Sequence, residues 1–347
     1  MAADQIPGIQ KCFHRAINSP QVFEAALLVE DMGGGFSYSE GYGGKDADSP
    51  MVTASVTKLF TTACILILRE QGRLSLEEGL PAYFNPRLLR NLHTYKGKEY
   101  SYELTIYDLL YQTSGLPDAY IESGHSLRRS VIKQDTYIDF ERMLTLVKAL
   151  KPHFAPQAGN RAYYADINFD LLGKIIEMVT NMPLEQAYRE FIFEPLGLQH
   201  TYLPIAEDEF VPGIYYKSAL LHRPQTIISS RASGGCISTA RELMAFLKAF
   251  FRGKLFNNDI FSDVSQYRNM QLSMRPMRYG CGHMQIPLGG LATAFQGRGE
   301  LLGHCGSTGS FAFYHPSKQL LFVGDVNQMA NPALPVRLAI QLAISIK

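Results

Sequence analysis

Ser55-Val56-Thr57-Lys58 places a hydroxyl and an ammonium three residues apart, where an irregular Gly-rich stretch from Gly41 to Pro50 gives way to a long apolar run, Leu59 to Leu68. If that run is a helix, residues three apart share a face and the Lys58 ammonium reaches the Ser55 hydroxyl. The free N–H groups and the positive dipole end of the helix then favour negative charge developing there. That is the layout of an activated serine nucleophile. The tetrapeptide means little alone, because Ser130-Val131-Ile132-Lys133 has the same spacing. A solvated helix start, with Ser as cap and Lys as surface charge, is spelled the same way.

Two further clusters could do chemistry. Tyr163-Tyr164-Ala165-Asp166-Ile167-Asn168-Phe169 runs into Leu171 to Glu177, so Tyr164 directly precedes an amphipathic helix. Tyr83-Phe84-Asn85, Tyr137-Ile138-Asp139 and Tyr267-Arg268-Asn269 share the Tyr-x-Asn/Asp spelling, and each also suits a half-buried aromatic beside a turn residue. Gly303-His304-Cys305-Gly306-Ser307-Thr308-Gly309 is a small-residue strand entrance leading into Ser310-Phe311-Ala312-Phe313. Small residues let a ligand approach the backbone, and a strand edge offers N–H groups to a substrate carbonyl oxygen. For His304 the competing reading is a structural histidine.

Elements must bring these clusters together. The apolar run Phe23 to Glu30, the glycine turn Met32 to Gly35 and the alternating Phe36 to Tyr42 read as a β-hairpin, so the chain is expected to open with strands. The run after Ser55 is apolar on nearly all sides, which predicts a helix buried in the middle of the protein. From about Gly72 to Ile228 helical spacing dominates, over Ile106 to Tyr111, Phe140 to Leu150, Phe169 to Thr180 and Leu184 to Phe193, with another helix start at Phe154-Ala155-Pro156. Strand signals return at Leu301 to Gly303, Gly309 to Tyr314 and Leu320 to Val326, and Pro335 to Ile346 reads as a closing helix. The expected organisation is a sheet lobe from residues 1–70 and 229–347 with a mainly helical lobe, 71–228, inserted between them. The Ser55 helix then lies at the boundary, where pockets form.

The chain has 347 residues, 46% of them hydrophobic and 19% charged, with a formal net charge of +1. Those values describe a folded globular protein without a basic stripe for nucleic acid or a polybasic face for a membrane. A small molecule or short peptide is the expected partner. Residues 1–20 lack the apolar centre of a secretory signal, and no segment has the apolar length of a membrane span, so the sequence as written is read as cytoplasmic unless a leader has been removed. Cys12, Cys64, Cys236, Cys281 and Cys305 are scattered and odd in number, which fits free thiols and gives no support to a zinc site.

In order and spacing the three clusters resemble the Ser-x-x-Lys, Tyr-x-Asn and Lys/His-x-Gly elements of the serine hydrolases related to class C β-lactamases, D-alanyl-D-alanine carboxypeptidases, D-aminopeptidases and family VIII esterases. Leu109 to Pro117 (LLYQTSGLP) is similar to that family's "LLxHTSGLP", Glu194 to Leu198 (EPLGL) to its "PLGM", and Gly234 to Ala240 (GGCISTA) to its "GGLxST". The resemblance runs from about residue 20 to the end and selects Ser55 over Ser130 and Tyr164 over the other tyrosines. It implies an α+β fold of the β-lactamase/transpeptidase kind, an antiparallel sheet flanked by helices with an inserted helical lobe. It implies Ser55 as the nucleophile forming an acyl-enzyme, with Lys58 and Tyr164 sharing its proton. It also implies an oxyanion hole from the Ser55 and Ser307 N–H groups, substrate contacts at Asp166, His304 and Gly306, and no metal or organic cofactor. A phenol does this proton work well if nearby cations lower its pKa from about 10.

Two departures narrow the expectation. Asp166 stands where the family usually has Asn, so a carboxylate that accepts replaces an amide that also donates, and it favours the ammonium form of Lys58. His304 stands where β-lactamases hold a lysine for a substrate carboxylate. Both argue against efficient β-lactam hydrolysis. They leave a peptidase or amidase for small D-amino-acid-type or short peptide substrates, whose amine Asp166 could receive. A carboxylesterase is the alternative, and a noncatalytic binding or assembly protein on the same fold is the second.

Overall fold

The computed structural model describes residues 5–122, 127–290, 293 and 295–346. Residues 1–4, the start of the stretch read for a secretory signal, lie outside the described residues. Strands β1 (Ala25–Asp31), β2 (Ser37–Tyr42), β3 (Arg268–Asn269), β4 (Arg278–Tyr279), β5 (Met284–Pro287), β6 (Glu300–Cys305), β7 (Ser310–His315) and β8 (Leu320–Asp325) build one sheet. Their order is β2-β1-β8-β7-β6-β5-β4-β3, and every pairing is antiparallel. The two ends of the chain meet where β1 pairs β8, with Ala26 opposite Asp325 and Asp31 opposite Leu320.

Alternation along the strands sends side chains to two cores. Leu27, Val29, Phe311, Phe313 and Phe322 share one face with Ile9 and Phe13 of helix α1 (Ile6–Ile17) and with Leu338 and Leu342 of helix α7 (Leu334–Ser345). Leu28, Ala312, Leu321 and Val323 belong to the opposite core. Burial on both faces explains why these strands print as apolar runs instead of alternating ones. The chain does not open with strands, because α1 comes first. Its buried Ile9, Cys12, Phe13 and Ala16 have helical spacing, interleaved with Lys11, His14 and Arg15 on the outer face.

Helix α2 (Thr57–Glu70) is buried from Thr57 to Leu68, between the sheet and the helical region. It packs against helices α4 (Asp166–Thr180) and α5 (Pro224–Gly234) as well as β6. A shorter helix, α3 (Leu127–Lys133), and the ribbon Ile214–Tyr216 with Ala219–Leu221 stand near the same end of α5, and helix α6 (Ala240–Phe251) covers β1, β7 and β8. The main core joins sheet residues such as Leu28 and Val323 to Leu171 and Ile175 of α4, so one packed interior crosses the expected boundaries, and α5 straddles residue 229. Phe154 to Pro156 leads into a turn instead of a helix, because Gln157 adopts φ 56° and its N–H donates to the Thr113 carbonyl at 3.0 Å.

Candidate active site

Ser55 is the middle residue of a single 3-10 turn, Ala54–Val56, that feeds α2. Ala54 has φ 44°, the left-handed region that a residue with a Cβ adopts at a cost, so the surroundings must hold it. They do so from two sides. The Thr53 N–H and hydroxyl both donate to the Cys236 carbonyl, at 2.9 and 2.8 Å, and the Cys236 N–H donates to the Thr57 hydroxyl at 3.0 Å. From the sheet side, the Thr308 hydroxyl donates to the Val52 carbonyl at 3.0 Å and the Ser310 hydroxyl to the Thr53 carbonyl at 2.7 Å.

Those last two bonds lay the Gly306-Ser307 segment beside the Ser55 turn. Gly306 fits there because it has no side chain: a Cβ would stand 2.7 Å from the Thr53 carbonyl oxygen and 3.0 Å from the Ala54 Cβ. The turn's own hydrogen bonds use the Val56 and Thr57 N–H groups. Among the described residues, neither the Ser55 nor the Ser307 N–H is spent on a backbone carbonyl.

Lys58 is fully buried and its ammonium meets three acceptors: the Asp166 carboxylate at 2.6 Å, the Ser233 carbonyl at 2.6 Å and the Ser55 hydroxyl at 3.4 Å. The three donors of an ammonium are thereby engaged. Asp166 is the first residue of α4, where the helix dipole favours negative charge. Its approach is fixed by the Leu109 to Pro117 stretch. Gln112, itself at φ 57°, accepts the Tyr163 N–H on its backbone oxygen at 2.9 Å and the Ala165 N–H on its side-chain oxygen at 3.0 Å. The Ser114 hydroxyl donates to the Asn168 side-chain oxygen at 2.7 Å.

The Tyr164 ring lies under the Lys58 ammonium, 5.0 Å from its centroid, and the Tyr164 oxygen is buried without a hydrogen-bond partner. Burial pushes the phenol well above its ordinary value, and the Asp166 carboxylate adds to the rise. Ser55 opposes the rise without completing a hydrogen bond. The environment thus keeps Tyr164 a neutral phenol, the reverse of what a phenoxide base needs. His304 is fully buried behind it, with ring centroids 5.8 Å from Tyr164 and 6.0 Å from Tyr279. Its Nδ1 donates to the Cys305 carbonyl at 2.9 Å, so Nε2 carries the lone pair. Burial first and the Lys58 charge second push His304 down to about 3, which keeps it neutral.

A cavity of about 430 Å³ opens over this floor and is walled by Ser55, Tyr164, Asp166, Gly306 and Ser307. Lys58 lies beneath it, and His304 lies behind its wall instead of on it. Ser130 is not on the wall and Lys133 points to solvent, so the second Ser-x-x-Lys plays no part. Two wall carboxylates were not singled out from the sequence. Burial and the Asp166 charge hold Asp118 well above the ordinary carboxylate range, and the same two causes push Asp170 up to about 7, against the Ser233 hydroxyl. Asp170 stands four residues after Asp166, one turn along the same face of α4, and that spacing was a readable signal. Asp118 directly follows Pro117. Among the described residues no cluster of His, Cys, Asp and Glu could hold a metal ion, and no helix is long and apolar enough to cross a membrane. The five cysteines are free.

Comparison with known proteins places the chain. The family described as Beta-lactamase matches residues 20–344. Among curated proteins the chain is similar to a monacolin J acid methylbutanoyltransferase of Aspergillus terreus, 27% identical over 225 residues, 57% of this chain and 51% of that protein. It is also similar to a putative D-alanyl-D-alanine carboxypeptidase of Escherichia coli, 31% identical over 149 residues, 43% of this chain and 32% of that protein. The chain thus spans about half or less of these relatives' length. Its fold is that of a D-stereospecific amidohydrolase from Streptomyces sp., with a TM-score of 0.76 over 93% of this chain and 94% of that one at 23% identity. On the extent of the family match and the shared fold, the chain belongs to the β-lactamase family of serine hydrolases, with the α+β, transpeptidase-like architecture of that family.

Proposed function

We propose that the protein forms an acyl-enzyme on Ser55 and hydrolyses amides of small, amine-bearing acyl groups of the D-amino-acid or short-peptide kind. One observation carries the proposal: the Ser55 hydroxyl, 3.4 Å from the Lys58 ammonium, shares one cavity wall with the Tyr164 phenol and the Gly306-Ser307 edge. Ser55 Oγ attacks the substrate carbonyl carbon. The oxygen that becomes negative is met by the Ser55 and Ser307 N–H groups. A neutral phenol both accepts and donates, so Tyr164 takes the Ser55 proton as it passes its own to the leaving nitrogen, and no free phenoxide is required. The Lys58 ammonium stabilises negative charge building on Oγ. Water then repeats the sequence in reverse and releases the acid.

The acidic side chains on the wall, Asp118, Asp166 and Asp170, offer acceptor oxygens to a substrate amine, and a cation beside Asp118 and Asp170 would favour the ionised forms that burial disfavours. A carboxylesterase is the second reading. It is favoured by the apolar residues that make up most of the cavity's remaining wall, and esters need less help from a proton donor than amides do. β-Lactam turnover should be weak, since Asp166 lacks the donor of an amide and His304 carries no charge to anchor a carboxylate. The test is intact-mass analysis after exposure to a fluorophosphonate, a penicillin, a chromogenic short-chain ester and a D-amino-acid anilide. A single adduct that peptide mapping puts on Ser55, lost in Ser55→Ala and kept in Ser130→Ala, is expected. An adduct on Ser130 or Cys305, or none with any reagent, overturns the proposal.

A further inference from the structure

We infer that the acyl part of the substrate carries an apolar chain or ring, seated in a chamber formed by Ala54, Val131, Ile214, Ile227 and Met329 beside Ser55. The inference rests on the acyl-enzyme reading of Ser55 and holds for amide and ester alike.

These five residues line the Ser55 cavity and, with Val52 and Ile237, form a hydrophobic cluster separate from the two cores that flank the sheet. They come from distant parts of the chain: the nucleophile turn, α3, the short ribbon, α5 and the segment after β8. Each is nearly fully buried, from 3% exposed at Ile214 to 6% at Ala54 and Val131, yet together they border open volume. Protein interiors close such space, because an unfilled gap forfeits the dispersion contacts of its lining. Apolar space kept open beside a nucleophile is suited to a ligand.

The chamber is also held in shape before any ligand arrives. The Arg223 guanidinium donates to the Val131 carbonyl and, at 2.9 Å, to the Ile132 carbonyl, fixing the end of α3. Arg128 donates to the Met329 carbonyl at 3.2 Å, and the Met329 N–H donates to the Tyr215 carbonyl at 2.8 Å, next to Ile214. Both arginines direct donors to carbonyls of the chamber wall.

The geometry assigns this space to the acyl group, not the leaving group. Tyr164, the proton donor to the leaving group, packs on the main core with Tyr279 and His304 and has no place in the chamber cluster. The carbonyl oxygen is directed to the Ser55 and Ser307 N–H groups. The remaining substituent of the carbonyl carbon is the acyl chain, and the chamber begins at Ala54, one residue from the acylated oxygen.

The test uses the intact chain and a series of n-alkyl fluorophosphonates, methyl to octyl, whose alkyl group takes the acyl position. Second-order inactivation rates are measured, and the labelled residue is mapped by mass. Each added methylene should raise the rate about four-fold, the equivalent of ~0.8 kcal/mol, until the chamber is full, after which the rate should fall. Val131→Phe should move the maximum to a shorter chain and Ile227→Ala to a longer one. If either variant fails to fold, the wild-type series alone decides. Labelling of Ser55 at a rate independent of chain length, or falling from methyl onward, overturns the chamber and leaves the acyl-enzyme standing. If Ser55 takes no label from any member, the acyl-enzyme reading falls and the chamber with it.

Discussion

Asp166→Asn tests whether the charge that replaces the family's amide is needed to hold Lys58. Asn keeps the size and an acceptor oxygen, so the change reports on the charge. Lys58 is fully buried, and its remaining acceptors, the Ser233 carbonyl at 2.6 Å and the Ser55 hydroxyl at 3.4 Å, are neutral. Removing one member of a buried ion pair costs about 3 to 5 kcal/mol because the other charge is left uncompensated. The Asp166 side chain is 24% exposed and Asn retains an acceptor, so the lower end, about 3 kcal/mol, applies. With an unfolding entropy of ~2.1 cal/mol/K per residue, a chain of 347 residues loses ~4 °C of Tm for that cost. Calorimetry of both proteins near neutral pH measures it. A loss below ~1 °C would refute the claim that Asp166 compensates a buried Lys58 charge.

Asp166→Asn should also lower the kcat/KM preference for an amine-bearing substrate over its acetylated twin, and an unchanged ratio sinks the role of Asp166 in substrate choice. Tyr164→Phe should reduce kcat by ~100-fold or more with little change in KM, because it removes a proton path and not a contact surface; near-normal turnover would show that another group moves the proton. Gly306→Ala should force the Ser307 segment away from the Ser55 turn, where a Cβ would meet the Thr53 carbonyl at 2.7 Å. The loss of an oxyanion donor that follows is ~100-fold or more in kcat, and steady-state kinetics showing a loss below ~10-fold would argue against that hole. For Asp170, pushed up to about 7 by burial, the folded protein holds its proton more tightly than the unfolded chain. Stability from this group is therefore present at acid pH and lost as the pH rises toward 7, so Asp170→Asn should raise Tm above about pH 7 and match the wild type near about pH 4. Equal Tm at both ends would place Asp170 in a solvated, unperturbed setting.

Much of the scaffold was legible because it repeats along the chain. The hairpin from Phe23 to Tyr42, the apolar run after Ser55 and the strands near Leu301, Ser310 and Leu320 each span enough residues to print a period. Strands β3 and β4 have two residues each and print none. The opening helix α1 has a legible pattern, apolar Ile9, Cys12, Phe13 and Ala16 opposite Lys11, His14 and Arg15, while Phe154-Ala155-Pro156 offered a helix-start spelling that the left-handed Gln157, bonded to the Thr113 carbonyl, ends.

Within the site, helix geometry relates Ser55 to Lys58 just as it relates Ser130 to Lys133, and the family resemblance selected the first pair. The other elements were ordered by family resemblance, and the physical state of each group waited for the fold. Whether Tyr164 sits as phenol or phenoxide, and whether His304 faces substrate or interior, depends first on burial, which packing between distant segments creates, and then on charge, from Asp166 two residues away for Tyr164 and from the distant Lys58 for His304. Asp118 and Asp170 gained their importance mainly from burial, with the Asp166 charge, four residues from Asp170 in the chain, adding to it. The sequence by itself determined the spacing of Ser55 and Lys58 and the class of fold, which local periodicity and motif order encode. Tertiary structure alone decided the protonation of the site and the open apolar chamber beside it, because desolvation and empty volume are properties of packing between distant segments.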